Sequence, residues 1–184
     1  TGSVADLEVD ATDLVLAPGF VDVHTHDDGA LVQHPDMTFK VSQGCTSVVV
    51  GNCGFSAIPA VTGESTLDLS GVEASWSDLD GYRNAVEGSN PAVNAMMLVG
   101  HNTIRTLEMK GERGAPNDRQ LSLMQEHVEL AMQQGACGFS TGLIYRPGRW
   151  ADTEEVLDLA KVVAPFGGIY ATHMRNENDH LLEA

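Results

Sequence analysis

The chain has 184 residues, 42% of them hydrophobic and 20% charged, the composition of a folded domain rather than a disordered one. Its 26 Asp and Glu against 10 Lys and Arg leave a formal charge of −16, which argues against a nucleic-acid partner, since phosphate binding needs clustered Lys and Arg. No apolar run approaches the roughly 20 residues of a membrane span, so no membrane partner is expected.

Residues 1–17 come first. Val4, Leu7 and Val9, then Leu14, Val15 and Leu16, are strand-like around an Ala11-Thr-Asp turn and suggest a small separate β element. Five apolar runs of strand length follow: Gly19–Thr25, Thr46–Asn52, Val93–Gly100, Cys137–Leu143 and Gly168–His173. Their near-continuous hydrophobicity predicts strands covered on both faces, as in a parallel sheet.

Helical patterns lie between the runs. Asn117-x-x-Gln120 and Asp152-x-x-Glu155 read as capping boxes. After the first, Leu121, Met124, Val128 and Ala131 recur at helical spacing until Gly135. After the second, Val156, Leu159, Ala160 and Val163 do so until Pro165 and Gly167. Ser77–Glu87 is a weaker helix, Ala60–Ser75 reads as a loop insertion, and a new helix is expected after Asn176.

Alternating strands and helices predict an α/β fold with a parallel sheet. Five units cannot close a (β/α)8 barrel, which takes about 250 residues. The expectation is therefore part of a larger barrel, with a complete five-stranded doubly wound sheet as the alternative.

Barrel active sites lie at the C-terminal ends of the strands. The first run ends in His24-Thr-His26 with Asp27 and Asp28 after it, the second in Asn52-Cys53-Gly54, the third in His101-Asn102 and the fifth in His173. Four of the five runs thus close on a possible metal ligand, and the fourth closes on Ser140-Thr-Gly. In His24-x-His26 both imidazoles leave one face of an extended chain and can reach one centre. His34, His127 and His180 fall on loop or helical patterns and are expected to face solvent.

The segment Ala17-Pro-Gly-Phe-Val-Asp-Val-His-Thr-His26 resembles the first-strand signature of the amidohydrolase superfamily. Gly51-Asn-Cys-Gly-Phe-Ser56, Gly138–Gly148 and Ala171–Glu177 are similar to segments of its N-acyl-D-amino-acid deacylases, the D-aminoacylase family. The resemblance implies a (β/α)8 metal-dependent hydrolase: residues 1–17 would belong to a small β-sandwich and 18–184 to the N-terminal part of the barrel.

It further implies one or two Zn²⁺ ions held by His24, His26, Cys53 and His173, with Cys53 bridging and Tyr145 contacting the substrate. Arg146 or Arg175 could supply an anion contact. Many binuclear relatives instead use a carboxylated Lys closing the fourth strand. Of Lys40, Lys110 and Lys161 none closes a predicted strand, whereas Cys53 does, and a thiolate binds Zn²⁺ well. No family ligand maps to His101, which leaves it as a pocket-wall or supporting residue. Cys45 and Cys137 are expected to be core thiols.

The reaction implied is hydrolysis of N-acyl-D-amino acids, small-molecule substrates, by a metal-activated water. The family's general-base Asp ends the eighth strand and a further His ligand ends the sixth; neither strand is in this sequence, so no catalytic base is assigned. The chain alone is expected to be inactive. Another amidohydrolase, such as a cyclic amidase or deaminase, and a non-catalytic barrel scaffold remain as alternatives. Three cysteines, an odd and sparse set, fit a reducing compartment, and with no signal-peptide pattern the cytoplasm is the default location.

Overall fold

The computed structural model describes residues 7–60 and 74–184. Five strands, β1 (Phe20–Asp22), β2 (Cys45–Val50), β3 (Asn94–Gly100), β4 (Gly138–Gly142) and β5 (Ile169–His173), form one sheet in the order β1-β2-β3-β4-β5. Every neighbouring pair is parallel. Spatial order equals chain order, as in a barrel. A doubly wound sheet reverses its strand order at a switch point, so that alternative falls. The sheet is a curled half-barrel.

Six helices lie between the strands: α1 (Ala30–Gln33), α2 (Thr38–Val41), α3 (Leu79–Ser89), α4 (His101–Met109), α5 (Asp118–Gln133) and α6 (Thr153–Val163). The short α1 and α2, and α4 starting directly at His101, have no counterpart in the periodicity, because none is long enough or regular enough to display a stripe. At α5 the capping box is complete: Asn117 accepts from the Gln120 amide, and the Gln120 side chain accepts from the Asn117 amide. At α6 only half of it forms. Asp152 accepts from the Glu155 amide at 2.8 Å, but the Glu155 side chain turns inward to other partners.

The helical spacing is borne out: Met124, Val128 and Ala131 of α5 and Leu159 and Val163 of α6 are buried. They pack on Val48 and Val50, Met97 and Val99, and Phe139, the alternate strand residues that face the helix layer. The intervening positions, among them Val49, Leu98, Ser140 and His173, therefore line the inner, concave face.

Two expectations differ. Residues 7–17 pair with no strand; a Leu14 amide to Ala11 carbonyl bond of 3.0 Å closes the expected turn, and Leu7, Val9, Val15 and Leu16 are exposed, with no partner ladder among the described residues. After Asn176 there are turns and one 3-10 turn, Leu181–Glu183, rather than an α-helix. The Asn176 side chain accepts from the amides of Asn178 at 2.7 Å and His180 at 3.2 Å, local bonds that compete with helical ones. The predicted insertion at Ala60–Ser75 lies mostly outside the described residues. No helix among those described is long and apolar enough to cross a membrane.

Candidate metal centre

Beyond β1 the chain bends at His24 and runs on through His26. Thr25 fixes it: its amide bonds the Val49 carbonyl at 3.1 Å and its hydroxyl reaches the same oxygen at 3.3 Å. The Asp22 carboxylate accepts from the His24 amide, and Lys40 of α2 closes on Asp22 at 2.8 Å and on Asp27 at 2.9 Å. One ammonium therefore ties the two acids that bracket the histidine pair.

Beyond β2 the chain turns sharply in Gly51-Asn-Cys-Gly54. Gly51 and Gly54 have φ of +79°, and Cys53, a non-glycine, sits at +53°. A Cβ on Gly51 would lie 2.0 Å from the Leu98 carbonyl oxygen, so only glycine fits. A left-handed non-glycine residue costs roughly 1–2 kcal/mol and is held only when its surroundings over-determine it. Here they do. The Ser140 hydroxyl donates to the Gly51 carbonyl and accepts from the Gly54 amide, and the Asn102 side chain donates to the Cys53 carbonyl at 3.2 Å and to that of Gly142 at 3.3 Å.

The turn puts the Cys53 sulfur 3.3 Å from His24 Nε2, and one ligand atom each of His24, His26 and Cys53 lies within 4.8 Å of the others. The same sulfur is 3.8 Å from His173 Nδ1 at the end of β5. Two imidazoles and a sulfur converging from two strand ends, with a third imidazole touching the sulfur, form a donor set that suits Zn²⁺. Partial burial and the neighbouring His24 keep His26 below the ordinary imidazole value, in the neutral form that ligates. Burial, then the charge of Glu177, raises the Cys53 thiol, so ligation as thiolate releases a proton there.

Tyr145, from the loop after β4, places its hydroxyl 3.0 Å from His173 Nδ1 with its ring edge-on to that imidazole, while Glu177 lies 3.3 Å from His173 Nε2. Arg146 stands over the Trp150 ring at 5.8 Å. None of the three lysines ends a strand: Lys40 pairs with acids on α2, Lys110 caps α4, and Lys161 bonds Asp158 on α6.

His101 is not among the clustered donors. It is fully buried at the start of α4, 2.7 Å from Glu155, whose other oxygen binds the buried Arg105. His127 is half-buried and paired with Glu108 at 2.8 Å, not solvated as expected, because α5 lays it against α4. Cys45 and Cys137 are partly exposed rather than core thiols. Asp28, Asn102 and Ser140 have supporting roles that no local sequence signal marks. Asp28 lies in the segment after β1, Asn102 just past β3 and Ser140 within β4, and all three are fully buried.

Asp28 follows His26 by two residues and turns back to accept from the Gly51 amide at 3.3 Å and the Ala57 amide at 3.0 Å. Burial raises its carboxyl to about 6, against the pull of those two bonds.

The chain is thus a half-barrel of parallel strands whose C-terminal ends gather histidines and a cysteine. The match to the Amidohydrolase family covers residues 7–164, and the chain belongs to that family. It is 42% identical to D-aminoacylase of Alcaligenes xylosoxydans xylosoxydans over 99% of its own length and 38% of that relative's. The crystal structure of N-acyl-D-glutamate deacylase from Bordetella bronchiseptica, complexed with zinc and a phosphonate mimic of the tetrahedral intermediate, superposes with a TM-score of 0.85 at 42% identity, over 91% of this chain and 36% of that one. A D-aminoacylase structure described for its binuclear metal centre gives 0.84 at 39% identity, over 90% and 36%. The chain thus spans little more than a third of the relatives it matches.

Proposed function

We propose that this chain is the N-terminal part of the barrel of an N-acyl-D-amino-acid deacylase, and that His24, His26, Cys53 and His173 are its contribution to a zinc centre. The observation that carries the reading is the convergence of His24, His26 and Cys53 within 4.8 Å, with a cysteine where a lysine-bridged amidohydrolase would lack one. Identity of 42% to D-aminoacylase supports the substrate class, a small N-acylated D-amino acid. Zinc held by these residues supplies a Lewis acid for a carbonyl oxygen and a source of hydroxide near neutral pH.

The chain's own groups bind and orient. His24 and His26 present imidazoles from the one segment that follows β1, and Cys53 presents sulfur from a turn that Ser140 and Asn102 grip. The Tyr145 hydroxyl stands at the rim beside His173, placed to bond the carboxylate or carbonyl of a substrate. The proton-transferring Asp and a further ligand come from later strands of the whole protein. Residues 1–17 belong to a small β-sandwich completed elsewhere, a reading supported by the exposed Leu14, Val15 and Leu16. Three free cysteines support a cytoplasmic setting.

Elemental analysis tests this reading. Zinc should be present in the wild-type chain purified without chelator and strongly reduced in Cys53→Ala. Equal zinc in both would remove Cys53 from the site and return the other amidohydrolase classes.

A further inference from the structure

Two separate stretches of chain supply the three clustered donors: His24 and His26 follow β1, and Cys53 sits in the turn after β2. Their spacing depends on what fixes one stretch against the other. The Asp28 side chain is fully buried, and its two oxygens are divided between two amides of the second stretch. Oδ2 accepts from Gly51 and Oδ1 accepts from Ala57, which stand on either side of Cys53. The residue's own backbone is held as well, because the buried Tyr82 hydroxyl donates to the Asp28 carbonyl at 2.8 Å. Asp28 therefore binds the Cys53 loop at both ends from a position two residues beyond His26.

We infer that Asp28 is a positioning residue of the metal centre, its carboxylate setting the distance between the His24/His26 pair and the Cys53 sulfur. This rests on the zinc-site reading above. Asp28 faces away from the donor cluster in its bonding and touches no ligand atom, so its influence runs through the backbone of the Cys53 loop. A carboxylate suits the task because it is acceptor-only and can take one amide on each oxygen. An asparagine of the same size keeps one acceptor and opposes the other amide with its own N–H groups. Residues that orient metal ligands without binding the ion typically change affinity by about 10–100-fold when replaced.

Three forms of the full-length protein decide it: wild type, Cys53→Ala and Asp28→Asn, each titrated with Zn²⁺ against a chelator and with Co²⁺ by absorption. The Co²⁺ thiolate charge-transfer band reports the Cys53–metal bond itself, which a general loss of stability would not shift. Asp28→Asn should bind about 10–100-fold more weakly, with a weakened or displaced thiolate band. Val128→Ala, which opens a cavity in the helix layer and touches neither the carboxylate nor the donors, should lower the melting temperature and leave both metal readouts unchanged.

Wild-type affinity and band in Asp28→Asn would overturn the inference. A Cys53→Ala protein that binds like wild type would instead overturn the zinc-site reading on which it rests. Should Asp28→Asn not fold, Asp28→Glu is measured on the same scale. It keeps the charge but lengthens the arm, and a wild-type band in that variant would equally count against the assignment.

Discussion

The two sides of the candidate metal centre are built differently. On the β1–β2 side the three donors stand on backbone that buried groups hold at every turn: Thr25 on Val49, Asp28 on Gly51 and Ala57, Ser140 and Asn102 on the Cys53 turn. On the β5 side His173 ends a strand that is largely exposed, and it contacts Tyr145, 40% exposed, and Glu177, whose side chain is 61% exposed. Buried bonds in low dielectric are strong and fix one geometry, whereas exposed ones are weak and exchange with water. The three donors of the first side are thus pre-organised within this stretch of chain, whereas His173 stands on the edge strand of a chain that spans little more than a third of its relatives.

The largest effect expected within the described residues comes from a buried network between α4 and α6. His101, Glu155 and Arg105 are buried together, and removing one partner of such a set leaves an uncompensated charge. Glu155→Ala should cost about 3–5 kcal/mol in urea unfolding, and a loss below about 1 kcal/mol would show that water reaches Arg105. Burial pushes the Glu155 carboxyl up, but the hydrogen bonds from His101 and Arg105 outweigh it and leave its pKa lowered. With a depressed folded value, the stabilisation is complete above the ordinary glutamate range and is lost as pH falls through the folded pKa. The acid limb of the wild-type stability curve should therefore flatten in Glu155→Ala.

A middle-sized effect separates the two sides directly. His173→Ala should weaken Zn²⁺ binding about tenfold, roughly 1.4 kcal/mol, and far less than Cys53→Ala does, because His24, His26 and Cys53 still converge without it. Equal losses in the two variants would mean that the sides share the ion evenly, and the contrast drawn above would fail.

What could be read in advance follows the same division. Strands, the two capped helices and the clustered candidate donors were legible because each carries a local signal: an apolar run, a helical stripe, or a histidine or cysteine where a run ends. The supports were not. Asp28 looked like one more acid after His26, and Glu155 looked like half of a capping box. Both instead spend their side chains on residues far along the chain, 23 to 29 positions away for Asp28 and 50 to 54 for Glu155. Periodicity reports local geometry and is silent on such pairs. Lys40 makes the same point, since its place before the second apolar run gives no sign that the fold sets it between Asp22 and Asp27.

The smallest effect tests the β5 side alone. Tyr145→Phe removes one neutral hydroxyl from a half-exposed bond to His173, worth about 0.5–1.5 kcal/mol at most. Burial, and then the nearby Cys53 and Glu177, raise the Tyr145 pKa, so the hydroxyl stays protonated near neutral pH and can donate to a carboxylate. Zn²⁺ affinity should change by less than about threefold, whereas KM for an N-acyl-D-amino acid, measured on the full-length protein, should rise several-fold with kcat little altered. That split marks uniform binding of substrate and transition state. A fall in kcat at constant KM would instead give the Tyr145 hydroxyl a part in the reaction itself, and the β5 side would then carry chemistry as well as binding.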